Sequence, residues 1–328
     1  MRPILVVGAT GLLGSEICRL LRASERPVRG LVRPGSPREE FLRRHGVEIV
    51  QGDLRDVPSL GRACRGASTV VSTATAIRPR LPGDSIRTVD RLGQRALVDA
   101  ARRSGVRRFI FTSVSPNLPP TTPFVRYKRE IETAVRGSGM AWVIVQPSSF
   151  FETSFRPQAG FDVAAGKAAI LGSGELPVSW ISVRDVARAM AGVATQLAEV
   201  SRAYLPLGGP EAASMTEVVQ AFERDTGRRF RVFHTPPSLA RGMGFLLRHS
   251  YPALSSTLGM SAYVANAGDV IERSEVAKVL IPRPVHLREL VHDEVRAVVV
   301  ERVRRHGQHA RVVKAGRGGE IPGAPFRA

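Results

Sequence analysis

The sequence predicts an α/β fold, a doubly wound and mostly parallel sheet followed by a small C-terminal substrate or cap region. Three observations predict it. Short apolar runs alternate with helical patterns through the first half of the 328 residues. The first run, Ile4 to Val7, contains only β-branched residues and Leu, as in a strand covered on both faces. A glycine-rich turn, Gly8-Ala9-Thr10-Gly11-Leu12-Leu13-Gly14, joins that run to a segment in which Leu13, Ile17, Leu20 and Leu21 recur at helical spacing.

The remaining elements follow in order. Val28 to Val32 reads as the second strand and Ser36 to Arg44 as a short polar helix. Val47 to Val50 is the third strand, ending in Gly52-Asp53-Leu54, and Asp56 is placed to cap a helix over Leu60 and Ala63. Thr69 to Ser72 is the fourth strand. Val89 to Arg103 reads as one long helix with Leu92, Ala96, Leu97 and Ala100 on one face. Arg108 to Phe111, a helix over Phe124 to Arg136, and Trp142 to Val145 complete six strands, which right-handed crossovers would order in parallel. After Pro147 the rhythm loosens. A helix from Val183 to Leu197, a strand from Ala203 to Leu207, a helix from Met215 to Arg224 capped by Ser214 or Thr216, and an irregular helical stretch from Pro236 to Ala267 are expected. The chain thus divides into a dinucleotide-binding domain over 1–150, the remainder of the α/β domain with the cap over 151–300, and a basic, breaker-rich tail over 301–328 expected to be mobile.

Composition narrows the function. The net charge of +19 comes from 48 basic and 29 acidic residues, and 44 of the basic ones are arginine, spread along the whole chain. Without a DNA- or RNA-reading motif, that excess reads as compositional bias and implies no specific nucleic-acid partner. No apolar run is long enough to span a bilayer, and the first strand begins too early for a signal peptide. Cys18 and Cys64 lack metal-ligand spacing, as do the seven histidines, so no metal is expected and both thiols read as buried residues of a reduced cytoplasm.

The glycine turn carries the chemistry. Gly8 permits the tight turn, Gly11 lets the backbone approach a pyrophosphate, and Gly14 packs the helix on the strand; the helix N-terminus then presents unpaired N–H groups to the phosphates. This is the Rossmann arrangement for a nicotinamide dinucleotide, with Gly8, Thr10, Gly11, Leu12, Leu13 and Gly14 as its contacts. At the end of the second strand, where NAD-dependent proteins place an acid for the ribose hydroxyls, Leu31-Val32 is followed by Arg33. A guanidinium there suits a 2′-phosphate, so NADP is favoured over NAD. Arg38 either assists or faces water.

With these motifs in place the chain resembles the atypical short-chain dehydrogenase/reductase superfamily, particularly its NmrA-like branch. Gly52-Asp53-Leu54-Arg55-Asp56, Ser72-Thr73-Ala74, Gly105-Val106-Arg107-Arg108-Phe109-Ile110-Phe111-Thr112-Ser113 and Gln146-Pro147 carry the resemblance beyond the first turn, from Arg2 to about Leu207. It implies that Asp53 and Leu54 touch the adenine, that Ser72, Thr73 and Ala74 line the ribose and phosphates, and that Pro147 and Phe150 meet the nicotinamide end, with Phe150 or Phe151 walling a pocket.

The same resemblance exposes a gap. The wider superfamily uses a Tyr followed four residues later by Lys, one helical turn apart, to move a proton. Here Phe124-Val125-Arg126-Tyr127-Lys128 occupies that helix start, so the position four before Lys128 holds Phe124, and Tyr127 points about 100° away on the helix. Lys128 is read as a retained cofactor-ribose contact, with a surface lysine as the alternative. Ser113 and Ser115 are candidate polarising hydroxyls, strand-end hydrogen bonding being the alternative. Asp185 reads as a helix N-terminal carboxylate. Three functions stay open: an NADP-dependent oxidoreductase on a small organic substrate, a non-catalytic NADP-binding redox-sensing regulator or assembly factor with a protein partner, and, last, a nucleotide-sugar epimerase or dehydratase.

Overall fold

The computed structural model describes residues 1–79, 81–195 and 200–300; the tail expected over 301–328 lies outside them. The first half alternates strand and helix as the sequence pattern requires: β1 (Ile4–Val7), α1 (Leu12–Ala23), β2 (Val28–Val32), α2 (Glu39–Arg44), β3 (Glu48–Gln51), α3 (Val57–Cys64) and β4 (Thr69–Ser72). A π-helical turn over Ile86–Gly93 leads into α4 (Gln94–Arg103), then β5 (Arg108–Thr112), α5 (Pro123–Arg136), β6 (Ala141–Pro147) and a one-turn α6 (Phe151–Ser154). The second half holds β7 (Phe161–Asp162), β8 (Lys167–Leu171), α7 (Val183–Thr195), β9 (Ala203–Leu207), α8 (Met215–Thr226), β10 (Arg231–Thr235), α9 (Pro237–Leu247), α10 (Pro252–Ala267) and α11 (Glu275–Leu280).

Seven strands form one parallel sheet in the order β3-β2-β1-β4-β5-β6-β9. The order reverses beside β1, and this is where open α/β sheets bind ligands, at the carboxyl ends of the strands. Alternate residues of the strands enter two separate cores. Val6, Val71, Ile110 and Val143 pack against α1 and α7, while Leu5, Val7, Val70, Phe109 and Phe111 pack against α3, α4 and α5. Both cysteines are buried free thiols, and burial pushes each up to about 12.

Two expectations need correction, and one feature is new. The helix over Val89 to Arg103 is not a single α-helix: its first part is the π-helical turn. The wider turn rotates the register, so Leu92, expected inside, is half exposed, and Asp90 is completely buried in its place. Asp56 sits at the start of α3, but its carboxylate makes no cap; the Ser59 hydroxyl donates back to the Asp56 carbonyl at 2.7 Å and accepts from the Asp53 N–H. Finally, a second sheet, β10-β8-β7, escaped the sequence pattern. Its strands are short, and the exposed face of β10 shows no alternation to read.

The second lobe has its own aromatic core, in which Phe151 packs with Phe155 and Phe222, and Phe161 with Phe230. Phe151 is therefore a core residue, although its edge borders a pocket beside Leu12 and Glu152, and Phe150, half buried just after β6, packs against the core shared by α1 and α7. α8 opens as expected at Ser214, in a reciprocal capping box with Glu217. Asp185 in the first turn of α7 is buried and accepts from the Val285 N–H and the Arg188 guanidinium, both at 2.8 Å, tying the C-terminal segment to α7. Among the described residues, no helix is long and apolar enough to cross a membrane.

Candidate functional site

The glycine turn is built so that nothing larger fits. Gly8 has φ +88°, and a Cβ there would meet Thr73 Oγ1 at 2.7 Å and the Ala74 nitrogen at 2.8 Å. At Gly14 a Cβ would lie 2.2 Å from the Gly8 carbonyl oxygen. The turn is closed by the Gly11 N–H donating to the Gly8 carbonyl at 2.8 Å. Thr73 is fixed against it, its N–H and hydroxyl both donating to the Val7 carbonyl. β1, α1 and the segment after β4 thus converge with bare backbone between them. No side chain caps α1, so its leading N–H groups, those of Leu12 and Leu13 among them, remain for an anion at the positive end of the helix. This cradle fits a dinucleotide pyrophosphate.

A neighbouring pocket of about 290 Å³ does not. Leu12 and Ser15 border it, but Glu16, Glu152, Asp293 and Glu294 line it against one cation, Arg184, which already pairs with Asp293 at 2.7 Å, and the surplus of carboxylates repels a phosphate.

At the end of β2, Arg33 Nη1 donates to both carboxylate oxygens of Asp84, at 2.9 and 3.1 Å. One nitrogen makes both contacts, so Nη2 and Nε of this partly exposed side chain stand outside the ion pair. Arg55 Nη1 approaches the same Asp84 at 3.4 Å and also chelates Asp53, through Nε at 3.0 Å and Nη2 at 2.8 Å. Burial works to raise the Asp53 carboxyl, but the Arg55 hydrogen bonds outweigh it and hold the group below its usual range. Asp53 and Arg33 are therefore joined in one ionic network. Arg38 donates to the Thr10 carbonyl at 3.3 Å, so it stands at the glycine turn rather than free in water. Leu54 is buried against Gly93 of the π-helical turn. Ser72 is fully buried and its hydroxyl donates to Gln94 Oε1 at 2.8 Å, so it braces α4 against β4.

Lys128 is no surface residue. It is 4% exposed, and its Nζ donates to the Thr112 carbonyl at 3.2 Å and pairs with Asp90 Oδ1 at 3.5 Å, between the rings of Phe111 and Phe124. Asp90 Oδ2 accepts from the Ala76 N–H at 2.8 Å, while Oδ1 lacks a well-formed hydrogen bond. A buried carboxylate oxygen in that state fits an additional donor such as a ribose hydroxyl. Burial lowers the Lys128 ammonium and raises the Asp90 carboxyl, each opposed by the charge of the other. Sequence reasoning missed Asp90. The available signal was an acid and Gln94 recurring at helical spacing between Ile86 and Leu97, on a face that should be apolar.

The two serines have carboxylate partners. The Ser113 hydroxyl donates to Glu132 Oε1 at 2.5 Å, in a buried cluster with Arg129 and Gln146. The Ser115 hydroxyl donates to Asp269 Oδ1 at 2.6 Å, and Ser148, next to Pro147 at the end of β6, donates to the other oxygen at 2.9 Å. Asp269 thereby clasps the chain following α10 to the carboxyl edge of β5 and β6. Tyr127 packs beside Phe124 with the Arg91 guanidinium 5.2 Å from its ring centre.

Known proteins share this architecture. The chain is 34% identical over 231 residues to an NAD(P)H azoreductase of Xenophilus azovorans, covering 70% of this chain and 75% of that protein. It is 29% identical over 234 residues to the photosystem II assembly factor Ycf39 of Cyanophora paradoxa, covering 71% of each. The fold superposes on the triphenylmethane reductase of Citrobacter sp., solved in complex with NADP(H), with a TM-score of 0.71 at 19% identity, over 89% of this chain and 99% of the other. The model of the NmrA-like family matches residues 2–288, and the chain belongs to that family.

Proposed function

We propose that the protein is an NADPH-dependent oxidoreductase acting on a small organic acceptor. The observation that carries this reading is the side-chain-free cradle of Gly8, Gly11 and Gly14, with Arg33 and Arg38 at its ribose end. The backbone N–H groups of Leu12 and Leu13 hold the pyrophosphate, and the outward part of the Arg33 fork binds the 2′-phosphate that distinguishes NADP from NAD. Asp53 and Leu54 border the adenine, and Thr73 and Ala74 the phosphates. Bound there, the cofactor supplies a hydride. Lys128, held by Asp90 and the Thr112 carbonyl, fixes the nicotinamide ribose, and Phe150 with Pro147 borders the ring. Phe124 cannot donate a proton. Acceptors whose hydride adduct is a delocalised anion that can take its proton from water, such as quinones, azo compounds and conjugated enones, therefore suit the site best. The azoreductase likeness supports that class. Two buried free thiols are consistent with a cytoplasmic protein.

The test follows reduced-nicotinamide absorbance with a panel of quinone, azo and enone acceptors. Turnover with NADPH in preference to NADH supports the reading; no turnover with any acceptor, with NADPH demonstrably bound, overturns it. Phe124 also favours a second reading, a non-catalytic NADP-dependent regulator or assembly factor, to which the Ycf39 likeness lends support. That reading requires partner affinity to differ between the NADPH- and NADP-loaded protein.

A further inference from the structure

α9 and α10 form a helical hairpin built inside out. The buried positions of α9 are Ala240 and Gly244, and Gly244 sits so close to α10 that a Cβ there would lie 3.3 Å from the Ser255 carbonyl oxygen. Small residues face the neighbour while large apolar ones face outward. Leu239, Met243, Phe245, Leu246, Tyr251 and Leu254 are all exposed, Leu246 at 78%. These six, within sixteen residues, are over a quarter of the 21 large hydrophobic residues exposed among the described residues, so the clustering is not background. The inner side of the hairpin is fixed to the body. The Ser256 hydroxyl accepts from the Phe124 N–H at 3.3 Å, and Ala253 joins the cluster of Ile86 and Phe124. The apolar tip is therefore carried on a fixed base.

The stretch of chain that carries the patch bears charge of one sign. From residue 226 to 268 there is no Asp or Glu, although 29 acids in 328 residues would place about four in such a stretch; five arginines and two histidines occur there instead. Arg248 stands among the apolar residues, its guanidinium 3.8 Å from the centre of the Phe245 ring, and Arg241, exposed one turn before Phe245 on α9, borders the groove beside Tyr263. Arg228, Arg229 and Arg231 are exposed where the chain enters β10 and the hairpin. A protein partner of mixed charge gives no reason to exclude every carboxylate from a stretch this long. An anionic lipid surface does, because each carboxylate would be repelled while aromatic and aliphatic tips insert below the headgroups and arginines pair with phosphates.

We propose that the α9–α10 tip seats the protein on an anionic bilayer surface, inserting Phe245, Leu246 and Tyr251 with Arg241 and Arg248 at headgroup level. This reading is independent of the redox assignment. The test uses the full chain in flotation with phosphatidylcholine vesicles, with and without phosphatidylglycerol, and no nucleotide. The comparison variants are a Phe245→Ser, Leu246→Ser pair and an Arg241→Glu, Arg248→Glu pair. All four side chains are exposed, so near-UV circular dichroism and melting should match the parent. The expected result is flotation only with phosphatidylglycerol, weakened by salt and reduced by about tenfold or more in either pair. Absence of flotation overturns the proposal, as does equal flotation on pure phosphatidylcholine. Flotation that persists in both pairs overturns it too, since the basic residues of 301–328 would then be the cause. So does a dimer, seen in sedimentation velocity, that the serine pair dissolves while vesicles stay unbound.

Discussion

The buried pair of Asp90 and Lys128 gives a prediction that can be worked from geometry. Their charged atoms lie 3.5 Å apart and both side chains are essentially excluded from water. With an effective dielectric of about 20, that separation corresponds to an attraction of about 5 kcal/mol. Removing either partner leaves the other charge buried alone, and Lys128→Met or Asp90→Asn should each cost about 3–5 kcal/mol. The double variant should cost much less than the sum, giving a coupling of about 3 kcal/mol or more. The pH dependence separates the two singles. In Asp90→Asn the Lys128 ammonium, already lowered by burial, loses the charge that raised it. The folded state then binds fewer protons than the unfolded one, so stability rises with pH from the lowered folded value up to the ordinary 10.5. In Lys128→Met the Asp90 carboxyl, raised by burial, makes the folded state bind more protons, so stability falls as pH climbs from the ordinary 3.8 through the raised value. Urea unfolding across pH reads both slopes. Additive single effects, or parallel slopes, would refute the reasoning.

Three further outcomes are expected. If the guanidinium meets the 2′-phosphate as proposed, Arg33→Ala should weaken NADPH binding by about tenfold to a hundredfold in calorimetry and leave NADH unchanged; an equal loss for both nucleotides would remove Arg33 from that role. Gly14→Ala places a methyl 2.2 Å from the Gly8 carbonyl, so α1 must move off β1. It should cost about 2 kcal/mol or more in thermal unfolding and abolish nucleotide binding, and normal affinity would contradict the cradle. Phe124→Tyr restores a hydroxyl one helical turn before Lys128 and should raise kcat for acceptors that need a proton by about tenfold or more with KM little changed. Unaltered kinetics in a normally folded variant would show that no acid is wanted there.

Much was legible because local physics dictated it. A doubly buried strand must be apolar throughout, so β1 could be read from Ile4 to Val7, and a backbone approached by phosphate must be bare, so Gly8, Gly11 and Gly14 announced the cradle. Arg33 at a strand end and Phe124 four residues before Lys128 were likewise matters of spacing. Other features depend on what arrives from far along the chain. Asp84 meets Arg33 across 51 positions, and Asp269 meets Ser115 across 154. No periodicity encodes such pairs. Asp90 was concealed for a different reason: a π-helical turn shifts the register, and whether one forms depends on how the helix docks on β4 and α5. The sequence by itself determined the sheet and its dinucleotide cradle, because strand burial and bare backbone leave local marks. Only the tertiary structure decided which charged groups meet in the interior and which large side chains are left outside on α9, because those outcomes depend on packing between distant segments.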